Sequence, residues 1–245
     1  MKMDSNTVLI TGGASGIGFA LAQRFLAAGS DVVVCGRRED KLKEAKAALP
    51  KLHIHACDLA TASGRTSLFK WATSEFPHLN VLVNNAGIQR RVPIAQPEEW
   101  TEVQQEIAIN LEAPIHLTKL FLAHLMKQPL PSIINIGSGL AFAPLAFVPV
   151  YSATKAALHS FTLSLRHQLR ATPVKVVEII PPAVNTDLGG VGLHTFGVPL
   201  DEFADAVFKR VALGELEVAY GTSEQASRAS REELDTIFQR MNSRE

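Results

Sequence analysis

Cysteine is scarce in this chain of 245 residues. Cys35 and Cys57 are the only two, too few for a disulfide framework, and both read as buried, reduced thiols. Charge of one sign is lacking as well. The 24 Lys plus Arg balance the 24 Asp plus Glu, and without a basic run there is no electrostatic footprint for a nucleic acid partner. Long apolar runs are missing too. The most apolar stretch, Gly139 to Val150, is too short to span a bilayer and is interrupted by Pro144 and Pro149. Met1 to Asn6 carries no apolar signal core, so a cytoplasmic protein is expected. No repeat and no low-complexity linker divides the chain. With 47% hydrophobic and 20% charged residues it can bury a substantial core, which excludes a disordered chain. One domain over residues 1–245 is expected.

What the chain does have is alternation. Val8-Leu9-Ile10, Val32-Val33-Val34, Val81-Leu82-Val83, Ile133 to Ile136 and Val174 to Ile180 are short and apolar on both sides, as parallel strands covered by helices on two faces must be. His53-Ile54-His55 is a weaker strand in the same rhythm. Between them Ile17, Leu21, Phe25 and Ala28 recur at helical spacing and stop before Gly29, a C-terminal cap. Glu39 to Leu49 reads as a surface helix stopped by Pro50, Tyr151 to Leu169 as a long helix and Asp201 to Leu213 as a shorter one. Thr101 to Met126 reads as two helices or one bent helix, with Pro114 near the junction. Beyond Gly221 the chain turns polar, which predicts a peripheral C-terminal segment (221–245) with a helix over about Arg231 to Met241 and a loose end. The fold class that follows is α/β: one doubly wound parallel sheet of the Rossmann type, with right-handed crossovers and helices on both faces.

Directly after the first strand comes Thr11-Gly12-Gly13-Ala14-Ser15-Gly16-Ile17-Gly18, which opens the first helix. Glycines let the backbone approach a pyrophosphate, and the helix N-terminus offers free N–H groups and partial positive charge. The spacing is Gly-x-x-x-Gly-x-Gly. This loop resembles the cofactor loop of the short-chain dehydrogenase/reductase family. Asn84-Asn85-Ala86-Gly87 after the fourth strand is similar to that family's Asn-Asn-Ala-Gly motif, and Asp58-Leu59 stands where the family places an Asp beside the adenine. Val184 and Thr186 stand where it contacts the nicotinamide carboxamide. The resemblance runs from Thr7 to Leu188, with five motifs in order. It implies that Gly12, Ser15, Gly16, Ile17, Gly18, Asp58, Leu59, Asn85, Val184 and Thr186 contact a nicotinamide dinucleotide. One departure is Pro181-Pro182 where the family has Pro-Gly, which stiffens the loop and removes a donor.

Tyr151 and Lys155 lie four apart at the start of a helix and so share one face. With Ser138 after the fifth strand and Asn110 in the preceding helical stretch, they resemble the family's catalytic set. The chemistry suits these groups. Carbonyl reduction needs hydride at carbon and a proton at oxygen. A phenol is a proton donor, and a neighbouring ammonium favours its phenolate and is expected to lower its pKa. Ser138 can donate to the substrate oxygen. By the resemblance, Tyr151 and Lys155 also contact the cofactor, Lys155 at the nicotinamide ribose, and Asn110 holds a water linking Lys155 to solvent. Taken singly, each residue has a plainer reading: a packed Tyr151, a solvated Lys155, a strand-end cap at Ser138. Taken with the glycine loop they point to an oxidoreductase interconverting a small carbonyl compound and its alcohol. The rival is a nucleotide-sensing or assembly protein of the same fold with little turnover, which would not need all four groups.

Cofactor choice is read at the end of the second strand. Cys35-Gly36-Arg37-Arg38 has no carboxylate until Glu39. A carboxylate there accepts from the ribose hydroxyls of NAD(H) and repels the 2′-phosphate of NADP(H), whereas Arg37 matches a phosphate. NADP(H) is therefore favoured and NAD(H) allowed, with Arg38 expected to pair with Glu39 or Asp40. Residues 185–200, with Leu193, His194 and Phe196, occupy the place of the family's substrate loop, and Phe142, Leu145, Phe147 and Val148 offer an apolar wall. Arg90 and Arg91 either recognise an anionic substrate group or pair with Glu98, Glu99 or a neighbouring subunit. The histidines show no metal-ligand spacing, so no metal is expected. Apolar residues Leu111, Ile115, Leu120, Phe121 and Leu125 ring one helix, which in the family packs on its copy, so a homodimer or homotetramer is expected. The Pro181-Pro182 stretch, Gln89-Arg90-Arg91 and Ala108 to Leu111 resemble a subgroup named for an oxidoreductase of the D-alanine–lipoteichoic acid operon; that label carries no substrate.

Overall fold

In the computed structural model, which describes residues 1–95 and 100–243, β-branched runs become seven parallel strands. They are β1 (Thr7–Thr11), β2 (Asp31–Gly36), β3 (His53–Ala56), β4 (Val81–Asn84), β5 (Ser132–Ile136), β6 (Lys175–Ile180) and β7 (Glu217–Ala219), in the order β3-β2-β1-β4-β5-β6-β7. Order reverses between β1, which pairs with β2, and β4. At such a switch point the strand ends leave a crevice.

Helices cover both faces. Val8, Ile10, Val32 and Val34 pack against α1 (Gly16–Ala27), α2 (Glu39–Ala48) and α7 (Leu200–Ala212), through Leu21, Phe25, Leu42, Phe203 and Val207. Leu9, Val33, Leu82 and Ile133 face the other way, onto α3 (Ala62–Glu75), α5 (Ala113–Leu125) and α6 (Pro149–Gln168). Successive residues of one strand thus serve opposite cores, and each buried aliphatic side chain contributes roughly 1.5–3 kcal/mol.

The stretch from Thr101 forms two helices with Pro114 close to their junction, as expected. α4 (Trp100–Ile107) runs into a π-helical turn over Ala108–Glu112 before α5 begins. Pro114 sits two residues past the π turn in a continuous helical stretch, so its missing N–H falls where the helical hydrogen-bond pattern changes. The π turn carries Asn110, and such turns concentrate at functional sites. Helix α3, strand β7 and the short α8 (Thr222–Arg228) come in addition to the expected elements. α9 (Arg231–Asn242) opens with a capping box between Ser230 and Glu233 and buries none of its side chains, so it is peripheral; the loose end expected after it lies outside the described residues. Among the described residues no helix is long and apolar enough to cross a membrane.

Candidate active site

The cradle between β1 and α1 is built from backbone. Gly12 and Gly16 have φ of +64° and +55°, a region that costs most side chains a penalty. A methyl group on Gly12 would come within 2.8 Å of Ala86 Cα, and one on Gly18 would strike the Asn85 side chain. Ser15 caps α1 by position but makes no side-chain hydrogen bond to it. The first-turn N–H groups of α1 therefore lack a side-chain acceptor, which is the state of an anion-binding helix end. Thr11 ties the cradle to the β4 end: its Oγ1 accepts from the N–H groups of Asn85 and Ala86, both at 3.0 Å. The Asn85 amide donates back to Thr11 O at 2.9 Å and Gly12 O at 3.2 Å. Asn84 is buried, donating to Asn135 Oδ1 at 2.8 Å. These contacts fit a dinucleotide whose pyrophosphate meets α1.

Other residues expected around the cradle fall into place unevenly. Thr186 faces Gly16, with Cγ2 3.5 Å from where a Gly16 methyl would stand. Val184 is buried and bridges to Val198, closing the base of the 185–200 segment. Asp58 folds its carboxylate onto the Ala60 N–H at 3.0 Å, and Leu59 commits its side chain to the core. Around Gly36 there is open space. Arg37 is exposed and makes no ion pair among the described residues. The expected pairing of Arg38 is overturned: Glu39 lies instead 3.8 Å from Lys43, one helical turn along α2.

At the adjoining ends of β5 and α6 the structure brings Ser138, Tyr151, Lys155 and Asn110 together. Lys155 is 3% exposed, with Nζ donating to Ile136 O at 2.8 Å and lying 5.5 Å from the Tyr151 ring centroid. Asn110 clasps the backbone of Ile88 twice: Oδ1 accepts from its N–H at 2.9 Å, and Nδ2 donates to its carbonyl at 2.8 Å. Asn110 Nδ2 also reaches Thr154 Oγ1 at 3.3 Å, whose hydroxyl donates to Tyr151 O at 2.7 Å. Ser138 Oγ accepts from Leu140 N–H at 3.1 Å.

The electrostatics depart from expectation. Burial pushes the Tyr151 phenol up to about 12; the Ser138 hydroxyl pulls it down, and the charge of Glu106 adds to the rise. Lys155 is pulled down to about 8 by burial, with Glu178 acting in the opposite sense. The anticipated lowering of Tyr151 by Lys155 is therefore not what this structure has: the ammonium is turned to Ile136 O and desolvation of the phenolate dominates.

The surroundings sort the remaining candidates. Arg90 is spent locally, Nη1 donating to Glu102 O at 3.0 Å and Nη2 to Gln105 Oε1 at 2.5 Å. Arg91 lies over the Phe147 ring at 4.7 Å. Glu98 and Glu99 lie outside the described residues. The apolar wall is not assembled as expected. Phe142 meets the His159 ring edge-on, Leu145 lines a groove with Phe238 of α9, and Val148 is buried. Pro181 O accepts from Gly139 N–H at 3.0 Å and from Ser223 Oγ at 2.8 Å, so Pro181 anchors the loop that follows Ser138. Cys35 is buried as read, but Cys57 is only half-buried.

Sequence reasoning missed two buried carboxylates. Glu106 is wholly buried one turn before the Asn110 turn, with both oxygens short of a hydrogen-bond partner. Glu178 is wholly buried in β6 and accepts from His159 Nδ1 at 2.8 Å. A lone acid inside the apolar run Val174 to Ile180 was the available signal for the second.

Comparison with known proteins gives the family. A family model described as short chain dehydrogenase matches residues 6–191. The chain belongs to the short-chain dehydrogenase family. It is accordingly an NAD(P)-dependent oxidoreductase. It is 48% identical, over 100% of both chains, to "Uncharacterized oxidoreductase DltE" of Bacillus subtilis (strain 168). It is 32% identical to "NADP-dependent 3-hydroxy acid dehydrogenase YdfG" of Escherichia coli (strain K12), over 72% of each. Among solved structures, a short-chain dehydrogenase from Sphingobium yanoikuyae in complex with NADPH superposes with a TM-score of 0.80, at 25% identity over 98% of this chain and 96% of that one.

Proposed function

We propose that the enzyme is an NADPH-preferring reductase of a small carbonyl compound, or the oxidant of the matching alcohol, with Tyr151 as the proton-transferring group. The observation that carries this reading is the convergence of Ser138, Tyr151, Lys155 and Asn110 beside the glycine cradle, at the edge where Thr11, Asn84 and Ile136 end their strands. The cofactor would be held by Gly12, Ser15, Gly16, Ile17 and Gly18 at its pyrophosphate, by Arg37, Asp58 and Leu59 at its adenosine, and by Asn85, Lys155, Val184 and Thr186 toward its nicotinamide. When bound, it supplies or accepts the hydride.

The protein's part is the proton and the charge. Tyr151 Oη gives its proton to the carbonyl oxygen of the substrate, and a phenol whose pKa is pushed up to about 12 stays protonated until that moment. The Ser138 hydroxyl donates to the same oxygen and stabilises the developing charge. Lys155 supplies positive charge beside the phenolate left behind. Asn110 fixes the Ile88 backbone and, through Thr154, the first turn of α6.

The 185–200 segment is read as the substrate loop. Val191, Leu193 and Phe196 are exposed there, as befits side chains that wait for a ligand. Arg91 is left as the basic group for an anionic substrate, because Arg90 is occupied. Two free thiols support a cytoplasmic setting. An apolar groove of about 640 Å³ between α4 and α6, lined by Trp100, Val103, Ile107, Leu111, Val150 and Ala157, supports a homodimer or homotetramer. Screening carbonyls and alcohols, 3-hydroxy acids among them, by the change in nicotinamide absorbance tests the reading. Cofactor-dependent turnover of one of them is expected; binding of cofactor without turnover of any would contradict it.

A further inference from the structure

Near Lys155, at the end of β5, lies a charged group that the proton transfer does not use. Glu178 lies in the middle of β6 with its side chain on the α6 face of the sheet, alongside Val176, and is 0% exposed. One oxygen, Oε2, accepts from His159 Nδ1 at 2.8 Å. The other, Oε1, has no hydrogen-bond partner among the described residues. That free oxygen lies against Gly137, where any side chain would bring Cβ to 2.6 Å from it. Gly137 directly follows Ile136, whose carbonyl takes the Lys155 ammonium at 2.8 Å. Lys155 and His159 are one turn apart on α6, so the carboxylate sits under the strand end between an ammonium and an imidazole.

The other charged groups facing this site are few. From β7, Glu217 stands beside Glu178 in register, and its carboxylate lies within 4.8 Å of both Glu178 and His159. From α6, Arg166 Nη1 lies 3.7 Å from Glu217. Glu217 is thus offset by Arg166 near solvent. Glu178 is left with His159 and Lys155. A fully buried carboxylate is costly unless opposite charge is near, and so is a fully buried ammonium. Each lowers the other's cost.

We propose that Glu178, held in place by His159, is a positioning residue for the reaction: it is the buried counter-charge that keeps Lys155 protonated at neutral pH. This rests on the reading of Lys155 as the partner of Tyr151. Burial pulls Lys155 down to about 8, and Glu178 is the group that opposes the fall. In the reduction direction the working form is a protonated Tyr151 beside a charged Lys155. Activity is then lost as pH rises through the pKa of Lys155. Without Glu178 that loss moves to lower pH.

Lysine-selective carbon NMR of the cofactor-free protein reads this directly, with the Lys155 Cε signal assigned by its disappearance in Lys155→Met. In Glu178→Gln, which keeps shape and hydrogen bonding, the Lys155 titration should move down by at least about one pH unit, the lower end of the effect of a nearby opposite charge. His159→Phe removes the hydrogen bond that holds the Glu178 carboxylate in place beside Glu217, and should move Lys155 in the same direction. If both variants fold and leave the Lys155 titration where it was, the inference is overturned whatever their turnover. The pH profile of carbonyl reduction with NADPH separates the two readings. An alkaline limb that follows the Lys155 shift supports both. A Lys155 shift without a shifted limb keeps the counter-charge and removes Lys155 from the reaction.

Discussion

At the scale of single residues, cofactor choice turns on Arg37. Gly36 beside it leaves open space, and its guanidinium is exposed and unpaired among the described residues. A charge-assisted hydrogen bond to a phosphate contributes on the order of 1.5–3 kcal/mol, or roughly tenfold to a hundredfold in affinity. NADPH should accordingly bind at least about tenfold more tightly than NADH. Arg37→Ala should erase most of that gap and leave NADH affinity nearly unchanged, as NADH lacks the phosphate. Calorimetric titration of both cofactors into both proteins checks this, and equal binding by the unmodified protein would place Arg37 outside the cofactor site.

Among the elements, α4 and its π turn show best what could and could not be read in advance. Strands β1, β2, β4, β5 and β6 were legible because each is a short apolar run rich in Val and Ile, and the glycine loop because its spacing can serve little else. Asn110, Ser138, Tyr151 and Lys155 were legible as a set by resemblance, and their residue types fit one reaction. What stayed hidden was tertiary. Pro114 marked a junction in this stretch, but the π geometry of the turn before it has no signature in the spacing. β7 is three residues long, too short for a period. The rise of Tyr151 toward about 12 comes from burial and from Glu106, neither visible in a spacing. Glu106 itself yields a prediction. Burial raises its pKa from 4.5 to about 7, with Arg90 pulling it down. A raised carboxyl is protonated in the folded state where the unfolded chain has already ionised. Stability therefore falls as pH climbs from about 4.5 to about 7, and the cost persists above. Glu106→Gln should stabilise the protein by on the order of 2 kcal/mol in mildly alkaline buffer and by little below the unfolded pKa. Denaturant unfolding at both pH values measures it; a gain that does not depend on pH would contradict the assignment.

For the whole molecule, the outer surface and the crevice carry separate tests. Of the apolar ring on α5, Phe121 and Leu125 are buried in the protein's own core, whereas Trp100 is 63% exposed at the rim of the groove between α4 and α6. Large exposed aromatics around an apolar groove mark an association surface. Light scattering at micromolar concentration should give a dimer or tetramer, and Trp100→Glu should shift it toward monomer; a clean monomer in the unmodified protein would contradict the assembly. The central claim is that this fold brings a nicotinamide cradle and a proton-donating phenol to one crevice. Tyr151→Phe tests it most directly, measured as NADPH affinity and as turnover on a carbonyl substrate found by screening. The variant should bind NADPH nearly as the unmodified enzyme does, because the glycine cradle is left intact, and lose nearly all turnover. Near-normal turnover in Tyr151→Phe would contradict it.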